Sequence, residues 1–421
     1  MRYVWLLCLS ILLPLSVCSQ QGTIAYVQWE GCQRNDTTYL ERFISITPGD
    51  TFSLERVATD LQRLRNLYSV ANARFRLDTL TRDRLGLVIE VEEAWTLFPI
   101  VSVTGVRSNT WYEIGASEIN LLGRGMNLTL AYRNIDGRSN YQVFFQQPYV
   151  LGSRWGLLAG IHRYASTEPL FFPEGTVFYN YTNWSFDVGI SYEFTQGHSL
   201  QFGANYFIEG YAKTPDQPLE NPPGPDELTI PKGLFKLIHR LDRVNYDYFY
   251  QDGFSNTTSV EAVYNSDDGS WFNLMLNDFH FFRRTGQRGN LAMRLRLGLS
   301  TNLNSPFAPF VLDSRFNIRG AGNRIDRGTG TLVFNAEYRH TLFERDLVAV
   351  QGVAFSDLGA WRSAGGDFDE LFDPEFLRHF VGPGIRFIYK KAHNAVLRID
   401  YGFDLYQPGE RGVVFGFGQY F

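Results

Sequence analysis

From about residue 96 onward, the sequence consists of segments about ten residues long in which every second residue is apolar. The clearest is Leu291–Leu297, where leucine and methionine alternate with one alanine and two arginines. Side chains of a β-strand point alternately to two faces, so each segment has one apolar and one polar face. Gly, Asn, Asp and Pro separate the segments, as turns require. The pattern predicts a long series of antiparallel strands.

A soluble sandwich and a membrane-spanning barrel both use alternating strands. A sandwich core seldom interleaves arginine with leucine this regularly, or over about 300 residues. In a barrel, the leucines would face lipid while Arg294 and Arg296 face a wet interior. Aromatic residues make up 16% of the chain, and outside the extreme N-terminus no apolar run reaches the length of a membrane helix. The sequence therefore predicts a mainly β protein with a transmembrane antiparallel β-barrel over residues 96–421.

The segments number about sixteen, with about eleven before a long polar loop around Arg319 and about five after it. Aromatic residues near strand ends, including Tyr179 and Tyr181, are interpreted as girdles at the two membrane interfaces. The proline-rich stretch Pro215–Pro231 is predicted to be a long loop, because proline cannot donate a hydrogen bond within a sheet.

Residues 23–95 have a different pattern, which predicts a strand, two helices and two further strands. An apolar stripe at three- and four-residue spacing marks the second helix as packed on a sheet. Its members are Leu54, Val57, Leu61, Leu64 and Leu67. This is a small α+β domain with helices on one face of the sheet.

Residues 1–19 have the form of a cleavable signal peptide, with an apolar core over Val4–Val17 and cleavage after Ser19. Lipidation of Cys18 is the second alternative, because the valine before it is bulky for lipoprotein processing. Either way the protein is exported, and cleavage leaves Cys32 without an internal disulfide partner.

Several function classes have no support in the sequence. The net charge is −5 and no Lys/Arg tract occurs, so we expect no nucleic-acid binding. The seven histidines are scattered, without Cys–His metal spacing or a Gly-x-Ser-x-Gly nucleophile elbow. We expect no catalytic residues, no metal or other cofactor, and no enzymatic activity.

The candidate site comprises Arg319 and Gly320 in the long loop, with Glu337 and Asp357 on the two strands that follow. Glu337 shares a face with polar residues and should point into the lumen, whereas the strand of Asp357 alternates less cleanly. A buried arginine inside a barrel needs acidic partners. A second candidate is the segment Val413–Phe421, predicted to be the closing strand with Phe415, Phe417 and Phe421 on its apolar face. A final aromatic residue is typical of outer-membrane barrel proteins, whose assembly machinery reads the last strand by β-augmentation. The alternative is that Phe421 is merely the last lipid-facing residue.

Together these residues resemble the BamA/TamA superfamily of POTRA-containing outer-membrane insertases and two-partner-secretion transporters, of bacterial surface antigen type. Residues 23–95 look like one POTRA domain, and Glu118–Gly125 is similar to the family's early barrel strands. Ile318–Gly320 resembles the family's Val-Arg-Gly-aromatic loop signature, with Ala321 in place of the aromatic residue. Two more stretches match in order, namely Gly330–Arg339 and Phe355–Trp361.

The resemblance implies that the loop folds back into the lumen, where Arg319 pairs with Glu337 and Asp357 as a lock. It implies a barrel in the outer membrane of a Gram-negative bacterium, with the POTRA-like domain in the periplasm. The implied partners are outer-membrane lipid, unfolded outer-membrane or secreted protein clients, and accessory subunits of periplasmic or lipoprotein type. The implied function is help with protein insertion or translocation through a weak barrel seam. The alternative is a passive pore or surface scaffold that keeps the barrel without handling clients.

Overall fold

The computed structural model describes residues 22–421, except 107–108, 136, 303–306, 315, 323–325, 393 and 408. The predicted signal peptide and Cys18 lie outside the described residues. The described chain has two parts, a small N-terminal α+β domain and a closed β-barrel. No helix in these ranges is both long and apolar enough to cross a membrane.

The N-terminal domain is a three-stranded sheet covered by helices. Its elements are β1 (Thr23–Glu30), α1 (Thr37–Leu40), α2 (Leu54–Arg65), β2 (Val70–Thr81) and β3 (Arg84–Glu93). The strand order is β1-β3-β2, with β1 parallel to β3. The side chain of Ser53 caps α2, and the predicted stripe, including Val57 and Leu64, is buried in the domain core. The predicted order of strands and helices is confirmed.

Cys32, just after β1, provides a chemical test of this packing. Burial, together with the charge of Glu93, raises the pKa of the Cys32 thiol to about 11. A thiol with that pKa is almost fully protonated near neutral pH and reacts slowly. We expect iodoacetamide to alkylate Cys32 far more slowly at pH 8 than the cysteine of a Leu54→Cys variant, a site that is 61% exposed. The rate at Cys32 should rise as the pH approaches 11, and peptide mass spectrometry measures both sites. Equal rates at pH 8 would contradict the burial.

The barrel is a closed ring of antiparallel strands in which the last strand is adjacent to the first. Its strands are β4 (Leu97–Val106), β5 (Asn109–Leu121), β6 (Met126–Ile135), β7 (Arg138–Gln147), β8 (Trp155–Phe172), β9 (Gly175–Thr195), β10 (His198–Lys213), β11 (Glu227–Asp242), β12 (Asn245–Asp247), β13 (Tyr250–Asn265), β14 (Trp271–Thr285), β15 (Gly289–Ser300), β18 (Gly330–Glu344), β19 (Val348–Arg362), β20 (Leu377–Tyr389), β21 (Val396–Asp404) and β22 (Arg411–Phe417). Short β12 continues β11 along β13, so the described ring has sixteen strands. Eleven precede the long loop and five follow it, which confirms the predicted count.

The two faces of the ring differ as the alternation predicts. Leu295 and Tyr401 point outward and are 45% and 38% exposed, whereas Arg294 and Asp400 point inward and are buried. A charged residue on the outer face would be energetically unfavourable in lipid, and this determines which alternate residues of each strand face outward. The outer surface is therefore an apolar band suited to a bilayer.

The N-terminal domain sits against one end of the barrel, which we call the near end; the opposite end is the far end. It contacts the near-end turns that follow β5, β7, β9, β11 and β20. The polar contacts are Arg124–Asp36 (3.0 Å), Arg42–Ser153 (2.8 Å), Gln196–Arg63 (3.0 Å), Asn66–Asn245 (3.1 Å) and Trp95–Lys391 (2.8 Å). Contacts spread around so much of the rim place the domain across the near-end mouth.

The turn at Gly123 and Gly125 shows how closely the two parts approach. Both glycines have positive φ, 74° and 65°, a conformation that other residues adopt at a cost. A Cβ on Gly123 would collide with the backbone at Arg34, and one on Gly125 with the ring of Tyr39. Glycine at these positions therefore permits both the turn and the domain contact.

Two predictions about the far half of the barrel are wrong. The loop after β10 ends sooner than expected, because β11 begins at Glu227 and Pro231 pairs with Ile208 within the sheet. Pro231 is tolerated because pairing of β11 with β13 begins only at Lys232, so the missing N–H leaves no ladder bond broken on that side. Tyr179 and Tyr181 are not part of an interface girdle: both are buried in an inward-facing aromatic cluster.

Candidate functional site in the barrel lumen

The long loop, residues 301–329, joins β15 to β18 at the far end. Arg362 binds both of its ends, since Nη2 donates to the carbonyl oxygens of Ser300 (2.7 Å) and Thr329 (2.9 Å). Within the loop, β16 (Phe310–Leu312) pairs with β17 (Asp326–Gly328) to form a hairpin. These contacts hold the described parts of the loop in a folded arrangement.

Arg319 lies in this loop and is fully buried, with 0% exposure. Its Nε and Nη2 donate to the two carboxylate oxygens of Asp357, each at 2.8 Å, and its backbone N–H donates to the same carboxylate at 2.9 Å. Nη1 donates to Glu337. This bidentate, charge-assisted geometry is the strongest that a guanidinium forms with carboxylates. The structure thus brings Arg319, Glu337 and Asp357 into direct contact.

Aromatic rings cover the guanidinium of Arg319. Its Cζ lies 3.8 Å from the ring centroid of Phe355 and 4.5 Å from that of Tyr420. Cation–π contacts of this kind strengthen when water is excluded, as it is here. The rings and carboxylates together satisfy a charge that would otherwise be very unfavourable inside the barrel.

The site extends to charged residues that sequence reasoning did not assign to it. Arg339 donates to Glu337 at 2.5 Å, Arg386 donates to Asp400 at 2.7 Å, and Arg398 lies 3.4 Å from Asp400. All five of these residues occupy inward positions of their strands and are buried. Each alternates with outward apolar residues in the sequence, and this alternation could have identified them as luminal. The ion pairs of Arg319 with Glu337 and Asp357 bind the loop to the barrel wall.

Gly320 allows the loop to approach the last two barrel strands. Its φ is 95°, and a Cβ there would collide with the backbone of Gly402 on β21. A Cβ on Gly402 would in turn meet the carbonyl of Arg319, and one on Gly412 of β22 would meet Gly320. Three glycines therefore let backbone pack directly on backbone where the loop meets β21 and β22.

The prediction that Phe421 belongs to the closing strand is wrong. The strand ends at Phe417, and Gly418, with φ of 81°, turns the chain inward. Tyr420 is buried in the lumen, where its hydroxyl donates to the carbonyl of Ser314 at 3.1 Å. Arg339 donates to the backbone oxygen of Phe421 at 3.2 Å. The arginines attract this segment inward, whereas Phe415 and Phe417 remain outward and are 66% and 67% exposed.

Comparison with known proteins agrees with both parts of the chain. Residues 22–94 match the family model described as POTRA, surface antigen variable number repeat. BamA from Haemophilus ducreyi, in a structure lacking POTRA domains 1–3, superposes with a TM-score of 0.56 at 14% identity, covering 94% of this chain and 83% of that one. The chain shares the fold of this BamA structure, and its N-terminal domain matches the POTRA family.

Two structures of CdiB share the fold. CdiB from Escherichia coli matches with a TM-score of 0.60 at 13% identity, covering 94% of this chain and 75% of that chain. CdiB from Acinetobacter baumannii matches with a TM-score of 0.55 at 14% identity, covering 94% and 73%. The search of curated proteins found no significant match. The arrangement of the N-terminal domain and the sixteen described barrel strands thus matches the fold of BamA and CdiB.

Proposed function

We propose that the protein helps other proteins insert into, or cross, the outer membrane of a Gram-negative bacterium. In this proposal the near end and the POTRA domain lie in the periplasm. Clients are unfolded outer-membrane or secreted proteins, which the POTRA domain meets before the barrel, and accessory periplasmic or lipoprotein subunits can join there. The chemistry at the candidate site is structural, and no enzymatic step is part of the proposal.

The observation that carries this proposal is the short strand at the barrel seam, where β22 meets β4. β22 has seven residues and β4 has ten, whereas β9 has 21. A tilted strand needs about 9–11 residues to cross a bilayer, so β22 does not span its full thickness. So short a strand forms few ladder hydrogen bonds across the seam, so separating β22 from β4 requires little free energy. It is therefore the part of the wall best suited to open sideways.

The long loop and the C-terminal segment inside the lumen favour this function over a passive pore. A barrel of about sixteen strands encloses an aqueous channel when its interior is empty. Here the loop with Arg319 and the inward segment with Tyr420 meet inside, through the Tyr420–Ser314 hydrogen bond. A lumen occupied from both ends suits controlled passage better than free diffusion.

Depletion of the protein in its native bacterium tests the proposal. We expect the amounts of specific outer-membrane or secreted proteins to fall, because the protein that assists their insertion or export would be missing. Quantitative proteomics of outer-membrane and culture fractions measures this, and re-expression of the intact chain provides the control. Unchanged fractions after full depletion would favour a scaffold role instead.

A further inference from the structure

Strand pairing brings two histidines together on the outer surface of the barrel. His198 and His239 are 41 positions apart in the sequence. In the ladder of β10 with β11, His239 lies opposite Leu200, two residues along the strand from His198. The two Nε2 atoms are 3.0 Å apart, and the ring planes are nearly perpendicular, at 88°. Histidines that look scattered in the sequence therefore include one close pair.

The pair lies at the near-end rim of the outer surface, not in the lumen. His239 shares its face of β11 with Leu237, which points outward and is 38% exposed. The ring of Phe194 lies 4.9 Å from that of His198. The same aromatic row continues through Tyr192 and Trp155. Aromatic rows of this kind mark the boundary between hydrocarbon and water. Both histidines are partly exposed there, so dissolved ions can reach them from the near end.

Two imidazole nitrogens that face each other at this distance can share one metal ion. In the pair as it stands, one Nε2–H donates to the Nε2 lone pair of the other ring. Two nitrogens bound at 2.0–2.1 Å to a tetrahedral zinc ion are about 3.3 Å apart, close to the separation already present. The donor ring would exchange its Nε2 proton for one on Nδ1 through solvent, so that both Nε2 lone pairs point to the ion.

The number and type of ligands determine which ions the pair can hold. The described residues place no third histidine, cysteine or carboxylate in a group with the pair. Water would therefore complete the coordination, and the bound ion would exchange with solvent. Imidazole nitrogen binds Zn²⁺, Cu²⁺ and Ni²⁺, whereas Mg²⁺ and Ca²⁺ require oxygen ligands. The pair is thus chemically selective for transition metals.

We propose that His198 and His239 bind a divalent transition-metal ion of the Zn²⁺ or Ni²⁺ type, which links β10 to β11 at the near end. The position of the pair gives this link a structural consequence. The turn before β10 contacts the N-terminal domain through Gln196 and the carbonyl of Arg63, at 3.0 Å. The turn after β11 contacts it through Asn245 and Asn66, at 3.1 Å. A bound ion therefore restrains the two strands whose turns hold the end of α2.

Histidine modification of the folded, full-length protein in detergent tests the site without requiring a client. Diethyl pyrocarbonate modifies imidazole nitrogens that have a free lone pair, and peptide mass spectrometry measures the rate at each histidine. We expect Zn²⁺ at about ten times its Kd to slow modification of His198 and His239 about tenfold, because about one site in eleven stays free. Ni²⁺ should act similarly, and Mg²⁺ should have no effect.

His340 is the matched control within the same chain. It also points outward near the near end of its strand, but its neighbour is the hydroxyl of Tyr338, at 3.3 Å, instead of a second histidine. Zn²⁺ should leave its rate of modification unchanged. Equal rates at His198 and His239 with and without Zn²⁺ would overturn the proposed site.

Two reciprocal variants distinguish one shared ion from two independent sites. In His198→Ala, Zn²⁺ should no longer protect His239, and in His239→Ala it should no longer protect His198. Heat-modifiability on gels shows whether each variant is folded, and either variant alone is sufficient if the other fails to fold. Protection of one histidine that persists without the other would also overturn the shared site. The proposed handling of clients does not depend on this result, since depletion tests it separately.

Discussion

Replacing Arg319 with alanine should destabilise the folded barrel by about 3–5 kcal/mol, the range for removing one partner of a buried ion pair. Asp357 would lose both side-chain hydrogen bonds from the guanidinium, retaining those from the backbone N–H of residue 319 at 2.9 Å and from the amide of Asn335 at 2.8 Å. Glu337 would be less affected, because Arg339 still donates to it at 2.5 Å. The midpoint of urea unfolding in detergent, followed by tryptophan fluorescence, and the heat-modifiability gel measure the loss.

Two further variants test whether the loss of stability comes from the lost Arg319–Asp357 pair. Arg283→Ala removes a side chain that is 66% exposed and 3.7 Å from Asp252, so it should change stability little. Asp357→Asn combined with Arg319→Ala should destabilise less than the sum of the single changes, because the two groups interact directly. Additive effects, or a gel for Arg319→Ala identical to that of the native protein, would mean that the pair does not stabilise the barrel.

Local pattern predicts much of this fold because strand alternation and helical spacing need only neighbouring residues. The sixteen strands, the α2 stripe and the inward direction of Glu337 follow from periods of two and about 3.6. Arg398 and Asp400 also lie on the polar face that alternation marks. Alternation along a strand therefore identifies the residues that face the lumen, but it does not predict which of them contact one another.

Contacts between distant strands depend on register and on loop path, which no local period contains. Arg386 meets Asp400 through the ladder of β20 with β21, and Arg327 of the long loop meets Glu168 of β8. The inward turn at Gly418 could not be predicted from the sequence pattern either, because the alternation of residues continues through Phe421. There, attraction of Tyr420 to Arg319 and Arg398, 4.5 and 4.7 Å from its ring, outweighs the local period.

The candidate site and the seam are physically joined. The loop packs on Gly402 of β21 and Gly412 of β22, and Tyr420, just beyond β22, lies against Arg319. Movement of β22 away from β4 would therefore disturb the loop contacts as well as the ladder. This connection makes the seam the place where a covalent restraint should have its largest effect on activity.

A disulfide across the seam should abolish client insertion or export if β22 must separate from β4. Suitable variants carry Val101→Cys with either Val413→Cys or Phe415→Cys, in a Cys32→Ala background. All three positions face outward, at 51%, 53% and 66% exposure, so the bond would lie outside the lumen. Complementation of depleted cells, read by outer-membrane proteomics, should fail under oxidising conditions and recover when a reductant breaks the bond.

The matched control places the same chemistry on an interior pair of strands. Leu237 of β11 and Val260 of β13 are directly opposite each other and both face outward. A disulfide between cysteines at these positions should leave complementation intact, because the proposed function does not require β11 to separate from β13. If only the seam-locked protein fails to complement, the difference shows that β22 must separate from β4. If the seam-locked protein complements as well as the control does, clients do not pass through an opening between β4 and β22.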